Sequence, residues 1–99
     1  MFKPFLTTTD IILAIIIDTF SFIKRKKAMR VWLKQIKARE KCQLCGAPVT
    51  EFHHIKDKTM KINAMVRKAC TMRQLIEELN KTVPLCHNCH VLETRRMRQ

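Results

Sequence analysis

Four of the five cysteines in this chain of 99 residues form two Cys-x2-Cys pairs. Cys42 and Cys45 make the first pair, and Cys86 and Cys89 make the second after 40 intervening residues. A Cys-x2-Cys turn points both thiolates at one metal ion, so two such turns can supply the four sulfur ligands of a structural zinc site. Gly46, the single glycine, follows the first pair, where a tight turn can use a positive φ. A disulfide framework is the alternative, but nothing in the sequence reads as a cleaved secretory signal, which favours zinc.

All four histidines lie between or beside the cysteine pairs. His53 and His54 are adjacent in an apolar-flanked segment, His87 lies inside the second pair, and His90 follows it directly. Imidazole is a common metal ligand and, with an ordinary pKa of about 6.5, a proton acceptor at neutral pH. Each histidine alone is more often structural, but together they predict a second metal site and a general base. Cys70 lies outside both pairs and is interpreted as a small buried apolar residue.

Apolar spacing indicates the elements that position these residues. Neither Gly nor Pro occurs from Phe5 to Cys45, and Thr9 or Asp10 can cap a helix, so the stretch through Lys41 is one long helix or two. The isoleucine-rich first half could also be a strand, since branched residues suit sheets. In the second half, four apolar residues recur at helical spacing with basic residues on the other faces: Met29, Trp32, Leu33 and Ile36.

The net charge of +12, from 20 Lys and Arg against 8 Asp and Glu, indicates the class of partner. Such an excess favours the phosphates of nucleic acid, duplex DNA first, over an anionic membrane surface. The charge is densest between the isoleucine-rich segment and the first cysteine pair. We expect phosphate contacts from basic residues near both ends of the chain, which are Lys24, Arg25, Lys26, Lys27, Arg30, Lys34, Arg95, Arg96 and Arg98.

The apolar run over residues 11–17 is bracketed by Asp10 and Asp18. A membrane-spanning helix needs about 20 apolar residues. A signal peptide carries its positive charges before the apolar run, whereas here they follow it. We therefore expect no membrane attachment, with a short signal anchor as the alternative. Residues 5–23 are predicted instead to pack against the domain or to dock on a protein partner.

Taken in order, four motifs resemble the zinc-ribbon branch of the HNH endonucleases, above all its small phage and bacterial members. They are Cys-x2-Cys-Gly, Phe-His-His-Ile, a short helix opened by a capping box of Thr71 and Gln74 and running through Leu79, and Val-Pro-Leu-Cys-His-Asn-Cys-His. The resemblance covers residues 30–93. We therefore divide the chain into an apolar and basic helical extension, 1–29, and an HNH-like zinc domain, 30–99.

The resemblance implies an α+β chain with a ββα-metal fold, in which two strands and a helix hold a divalent cation against the scissile phosphate and zinc staples the strands from behind. By position, it assigns the cation to His53 and His90 and the general base to His54. Two histidine ligands leave coordination positions open for phosphate and water. They favour Mn, Ni, Co or Zn over Mg.

Two positions depart from the pattern of the family. Its middle asparagine falls at Lys81, with Asn80 one residue away, so one of these two is expected to support His54. Many members also carry a second histidine on the last helix, at the position that Thr94 occupies here.

Two functions of different classes follow. The first is a metal-dependent endonuclease that hydrolyses DNA phosphodiester bonds. The second is a non-catalytic nucleic-acid-binding protein on the same zinc scaffold, such as a subunit of a ribosome-like ribonucleoprotein. For both we expect a reducing intracellular compartment, either the cytoplasm of a bacterial or phage-infected cell or an organelle matrix.

Overall fold

The computed structural model describes residues 4–56 and 58–97, and within them the chain is α+β, as the sequence predicts. Arg98, one of the predicted phosphate contacts, lies outside the described residues. Five helices and a two-stranded antiparallel sheet occur in the order α1 (Thr8–Ile17), α2 (Phe22–Arg39), β1 (Glu51–His54), α3 (Ile62–Arg67), α4 (Met72–Leu79), β2 (Thr82–Leu85) and α5 (His87–Met97).

The stretch before the first cysteine pair forms two helices. The first begins after Thr7, whose hydroxyl forms a capping box with Asp10, so the cap lies two residues before Thr9. The break between α1 and α2 needs neither Gly nor Pro. It is held instead by Asp18, whose carboxylate accepts a hydrogen bond from the Met72 amide at 2.6 Å and so caps α4 from outside.

Helix α1 buries a narrow face and exposes a wide one. Asp10, Ala14 and Ile17 are buried, and the helix packs against α2 and α4. The opposite face exposes four isoleucines, Ile11, Ile12, Ile15 and Ile16. No helix within the described ranges has both the length and the apolar character needed to cross a membrane. A protein partner for residues 5–23 stays a prediction.

The main hydrophobic core lies among helices α1 to α4. The four apolar residues that the helical spacing of α2 singles out are all buried in it: Met29, Trp32, Leu33 and Ile36. From α4 it receives Met72, Leu75 and Leu79, each fully buried. The boundary predicted between residues 29 and 30 falls inside α2, and residues on both sides of it enter this core. The division into extension and domain stays a prediction.

The sheet joins the two halves of the candidate site. Its register pairs His53 with Val83 and His54 with Thr82. Because successive side chains of a strand point to opposite faces, Phe52 and His54 share one face of β1, and Glu51 and His53 share the other. Phe52 stacks on Phe5, with ring centroids 5.6 Å apart, toward the main core. The other face is turned toward α5, which packs on β1.

An ion pair between the buried Asp10 and the exposed Arg39 links α1 to the end of α2. The Asp10 carboxylate is 4% exposed and accepts hydrogen bonds from both terminal nitrogens of Arg39, at 3.0 and 2.9 Å. Burial alone would raise the pKa of Asp10. The hydrogen bonds from Arg39 and Thr7 outweigh that effect and hold the pKa below its usual value.

Asp10→Asn is expected to lower the free energy of unfolding by roughly 1–2 kcal/mol at neutral pH, because an amide has one neutral acceptor oxygen and cannot replace the two charged oxygens that accept hydrogen bonds from Arg39. The folded pKa lies below the unfolded one, so this contribution is complete above pH ~4 and is lost as the pH falls through the folded pKa. Urea unfolding across pH 2–7 measures the difference, and Glu77→Gln in the exposed Arg73 pair is the control, with an expected change below about 0.5 kcal/mol. A difference that does not shrink in acid would contradict the assignment.

Candidate functional site

The two cysteine pairs meet in one cluster. The Sγ atoms of Cys42, Cys45, Cys86 and Cys89 all lie within 4.8 Å of one another. Sulfur ligands of a tetrahedral zinc ion, at about 2.3 Å from the metal, stand about 3.8 Å apart, so the cluster has the size of a metal site. The turn after the first pair uses Gly46 at φ 78°, as expected for the only residue type that adopts this conformation without strain. This set of four cysteines could hold a metal ion such as zinc.

The electrostatics of the cluster favour a cation. Burial alone would raise the pKa of Cys42, but hydrogen bonds from the backbone amides of Cys86, Cys45 and Leu44 outweigh it and bring the pKa to about 6. The thiol of Cys89 shifts the other way, because its hydrogen bonds with the Cys86 and Cys45 sulfurs raise its pKa. The Cys42 thiolate therefore forms readily, while Cys89 resists ionisation beside it. A bound dication reverses that resistance.

His53 on β1 and His90 on α5 face each other. Their Nδ1 atoms are 3.0 Å apart, and the rings meet edge to face at 76°. Two nitrogen ligands at about 2.1 Å from one cation lie about 3.0–3.4 Å apart, so this spacing suits a shared ion. His53 is 4% exposed, and burial, followed by the neighbouring His90, lowers its pKa. Neutral imidazole is the form that binds metal.

The carboxylate of Glu51 lies beside the His90 ring. Glu51 Oε2 is buried without a hydrogen-bond partner in the described part of the chain and lies 3.6 Å from Nε2 of His90. Its other oxygen is 3.4 Å from Nδ1 of His87. A carboxylate on the far nitrogen of a histidine directs the near nitrogen at the metal. On the other side of the site, Nε2 of His53 lies 3.2 Å from the Met97 sulfur.

His54, the predicted general base, is held by a buried carboxylate on α4. Its Nε2 lies 2.9 Å from Oε2 of Glu78, which is itself 3% exposed. Burial lowers the pKa of His54 and outweighs the opposing effect of Glu78. Burial alone would raise the pKa of Glu78, but the hydrogen bonds from Thr59, Lys81 and His54 outweigh it, and the net shift is downward.

Of the two residues expected to support His54, the structure brings Lys81 close. Lys81 Nζ reaches Oε1 of Glu78 at 3.2 Å, and its backbone carbonyl accepts a hydrogen bond from the Ile55 amide at 2.8 Å. Asn80 is the exposed C-terminal cap of α4. Thr94 turns its hydroxyl back to the His90 carbonyl at 2.8 Å.

All three predicted site histidines line one open cavity of about 640 Å³. Residues 50–54 line it without a gap, so the cavity follows the open edge of β1. Four lysines complete its walls, Lys37, Lys56, Lys58 and Lys61, and Glu51 is the one acidic residue among the described lining. A site that joins three imidazole rings to four lysine side chains suits an anionic ligand and a cation together.

No known protein family, curated protein or solved structure matches this chain.

The predicted phosphate contacts have different environments. Arg30 and Lys34 line a second cavity of about 340 Å³ that shares Leu33, Lys37 and Asn63 with the first. Arg25 instead donates a hydrogen bond to the Ala69 carbonyl at 2.8 Å, which ties α2 to the loop before α4. The others described are exposed or half-buried at the start of α2 and the end of α5: Lys24, Lys26, Lys27, Arg95 and Arg96.

Glu51 and Glu78 are site residues that the sequence predictions missed. The signal for Glu78 is its position, because it lies on the same face of α4 as Leu75 and Leu79, where a solvated carboxylate does not belong. The signal for Glu51 is strand alternation, which sets it on the face of His53.

Cys89→Ser is expected to abolish tight binding of one metal ion per chain and to lower the Tm by about 10 °C or more, because the binding free energy of such a site is also folding free energy. Elemental analysis after exhaustive dialysis, with thermal unfolding, measures both effects. The matched control is Cys70→Ala, which removes the one cysteine outside the cluster and should keep one ion per chain. Equal metal content in the two variants would contradict the four-cysteine site.

Proposed function

We propose that this protein is a metal-dependent nuclease of the HNH type, with a ββα-metal site built from β1, β2 and α5, and that its substrate is DNA. The observation that carries the proposal is the joint position of His53, His54 and His90 on one lysine-walled cavity. The resemblance assigns these three residues the cation and the base, and their geometry agrees with those roles. The two strands are separated by α3 and α4, and β2 is followed directly by α5, the helix that carries His90, as the proposed site requires.

In the proposed reaction His54 acts on water. Its Nε2 is engaged by Glu78, so the proton is accepted at Nδ1. The water oxygen then forms a bond to phosphorus, the bond from phosphorus to the leaving sugar oxygen breaks, and that oxygen takes a proton from solvent. A divalent cation held by His53 and His90 would stabilise the negative charge on the phosphate and on the leaving oxygen. The lysines of the cavity hold the substrate backbone.

We further propose that zinc is the ion of the cysteine cluster and that its role is structural. Four sulfur ligands fill a tetrahedral coordination sphere and leave no position for substrate. The second cation would bind separately, at His53 and His90. Two imidazole ligands favour Mn, Ni, Co or Zn there, and Mg is the remaining choice.

A basic groove supports nucleic acid as the substrate. The two adjoining cavities together run from α2 and α3 to the histidines. Seven basic side chains line this groove, namely Arg30, Lys34, Lys37, Lys56, Lys58, Lys61 and Arg67, against Glu51 as the acidic residue among those described. Phosphate contacts of this kind fix the position of a nucleic acid without reading its bases.

Purified protein is expected to nick or cut plasmid DNA with at least one of Mg, Mn and Ni. His54→Ala should keep metal and DNA binding but lose roughly 10²–10⁴ in cleavage rate, which is the usual contribution of a general base. His90→Ala should lose the second cation, and cleavage with it, while the ion of the cysteine cluster remains bound.

His87→Ala is the matched control, because His87 is exposed, lies on the same helix and does not line the cavity. It should cut at nearly the wild-type rate. Wild-type protein that binds plasmid but cuts it with none of the three metals would refute the nuclease and leave the non-catalytic binding protein as the function.

The triple variant Arg30→Gln, Lys34→Gln and Arg67→Gln is expected to flatten the salt dependence of DNA affinity. Each lost phosphate contact removes about 0.9 from the slope of log K against log salt, so the triple change should remove about 2–3. Fluorescence anisotropy from about 50 to 200 mM salt measures the slope. Lys24→Gln with Lys27→Gln changes exposed charges outside the groove and tests whether the effect is local. A larger change of slope in the Lys24 and Lys27 variant would indicate that DNA binds at the start of α2 and not in the groove.

A further inference from the structure

The resemblance leaves one catalytic task without a residue. The family's middle asparagine supports the general base and the loop beside it, and Lys81 stands at its position. A lysine side chain cannot accept a hydrogen bond from an imidazole, because an ammonium group is a donor only. If His54 is a general base, another group has to fix its ring.

Glu78 makes the contacts that such a group requires. Its Oε2 lies 2.9 Å from Nε2 of His54 and accepts a hydrogen bond from the Thr59 amide at 3.0 Å. Its Oε1 accepts one from Lys81 Nζ at 3.2 Å, and Lys81 Nζ also reaches the Thr59 hydroxyl at 3.0 Å. One carboxylate thus holds the ring of His54 and the loop that follows β1.

The direction of the His54 contact follows from the chemistry of the partner. An ionised carboxylate can only accept hydrogen bonds, so Nε2 of His54 carries the proton and Nδ1 carries the lone pair. The buried position of Glu78 at 3% exposure, on a helix turn anchored in the main core by Leu75 and Leu79, keeps the carboxylate in one place.

We propose that Glu78 is the positioning residue of His54 and that, with Lys81 as its anchor, it takes the place of the family's middle asparagine. The inference rests on the nuclease function proposed above. Glu78 does not touch the substrate phosphate, and it acts by fixing the tautomer and the orientation of the base.

Glu78→Gln tests the proposal in the full-length protein. Loss of a residue that orients a catalytic or metal-binding histidine typically costs about 10–100-fold. We expect a fall of that size in kcat for plasmid nicking, with KM and the metal content of the cysteine cluster unchanged. Glu77→Gln, one residue earlier on the exposed face of α4, is the matched control and should keep wild-type kcat. A Glu78→Gln variant with kcat within about twofold of wild type overturns the proposal.

Nitrogen-15 NMR of the histidine rings gives a readout that needs no catalysis. At about pH 8 the wild-type protein should show a His54 Nε2 proton protected from exchange with water and an unprotonated Nδ1, with the signals assigned by their absence in His54→Ala. In Glu78→Gln the protection should be lost. A wild-type ring protonated at Nδ1 overturns the proposal, even if Glu78→Gln fails to fold. If the wild type cuts no DNA but the protected Nε2 proton is present, the nuclease function fails while the contact that positions His54 stands.

Discussion

Crowding of four thiols into one small space is the constraint on which the rest of the site depends. The cluster draws together a turn after α2 and the start of α5, which are separated by most of the chain's second half. Cys42 ionises readily, but a second thiolate beside it is opposed by the first. A positive ion at the centre would relieve this energetic conflict and would also fix where α5 begins. His90 lies one residue beyond the second cysteine pair, so its distance from His53 follows from that cluster.

His54 on β1 and His90 on α5 have similar surroundings. Nε2 of His54 lies 2.9 Å from the Glu78 carboxylate, and Nε2 of His90 lies 3.6 Å from that of Glu51. In both rings the carboxylate is on the side of Nε2, and Nδ1 is the other nitrogen. Strand alternation separates the two systems, because adjacent residues of β1 point to opposite faces. His53 and His54, the proposed metal ligand and the proposed base, therefore lie on opposite faces of one short strand while both line the same cavity.

Local sequence patterns predicted the parts of this structure that local forces determine. The buried face of α2, the capping box at Thr71 and the positive φ of Gly46 each depend on a few neighbouring residues, and each is present. The local pattern allows one helix or two before the first cysteine pair, and a contact with a distant element lies at the break, where Asp18 caps α4 from 54 residues away. Glu78 was missed for the same reason. A glutamate three residues before a lysine resembles a surface pair. Its place on the face of Leu75 and Leu79 signals burial, but its contact with His54 depends on the packing of α4 against β2.

Helix α5 has no buried residue of its own. A helix with so little apolar burial draws its order from the groups that fasten it, which here are the cysteines at its start and the histidine and glutamate contacts of its first turns. It is therefore the segment of the fold that can open without disturbing the main core among α1 to α4. Loss of a metal ion from the cysteine cluster would act first on this helix, and the exposed arginines of its last turn would then become accessible to proteases. Resistance to proteolysis would in that way depend on whether the four cysteines hold an ion.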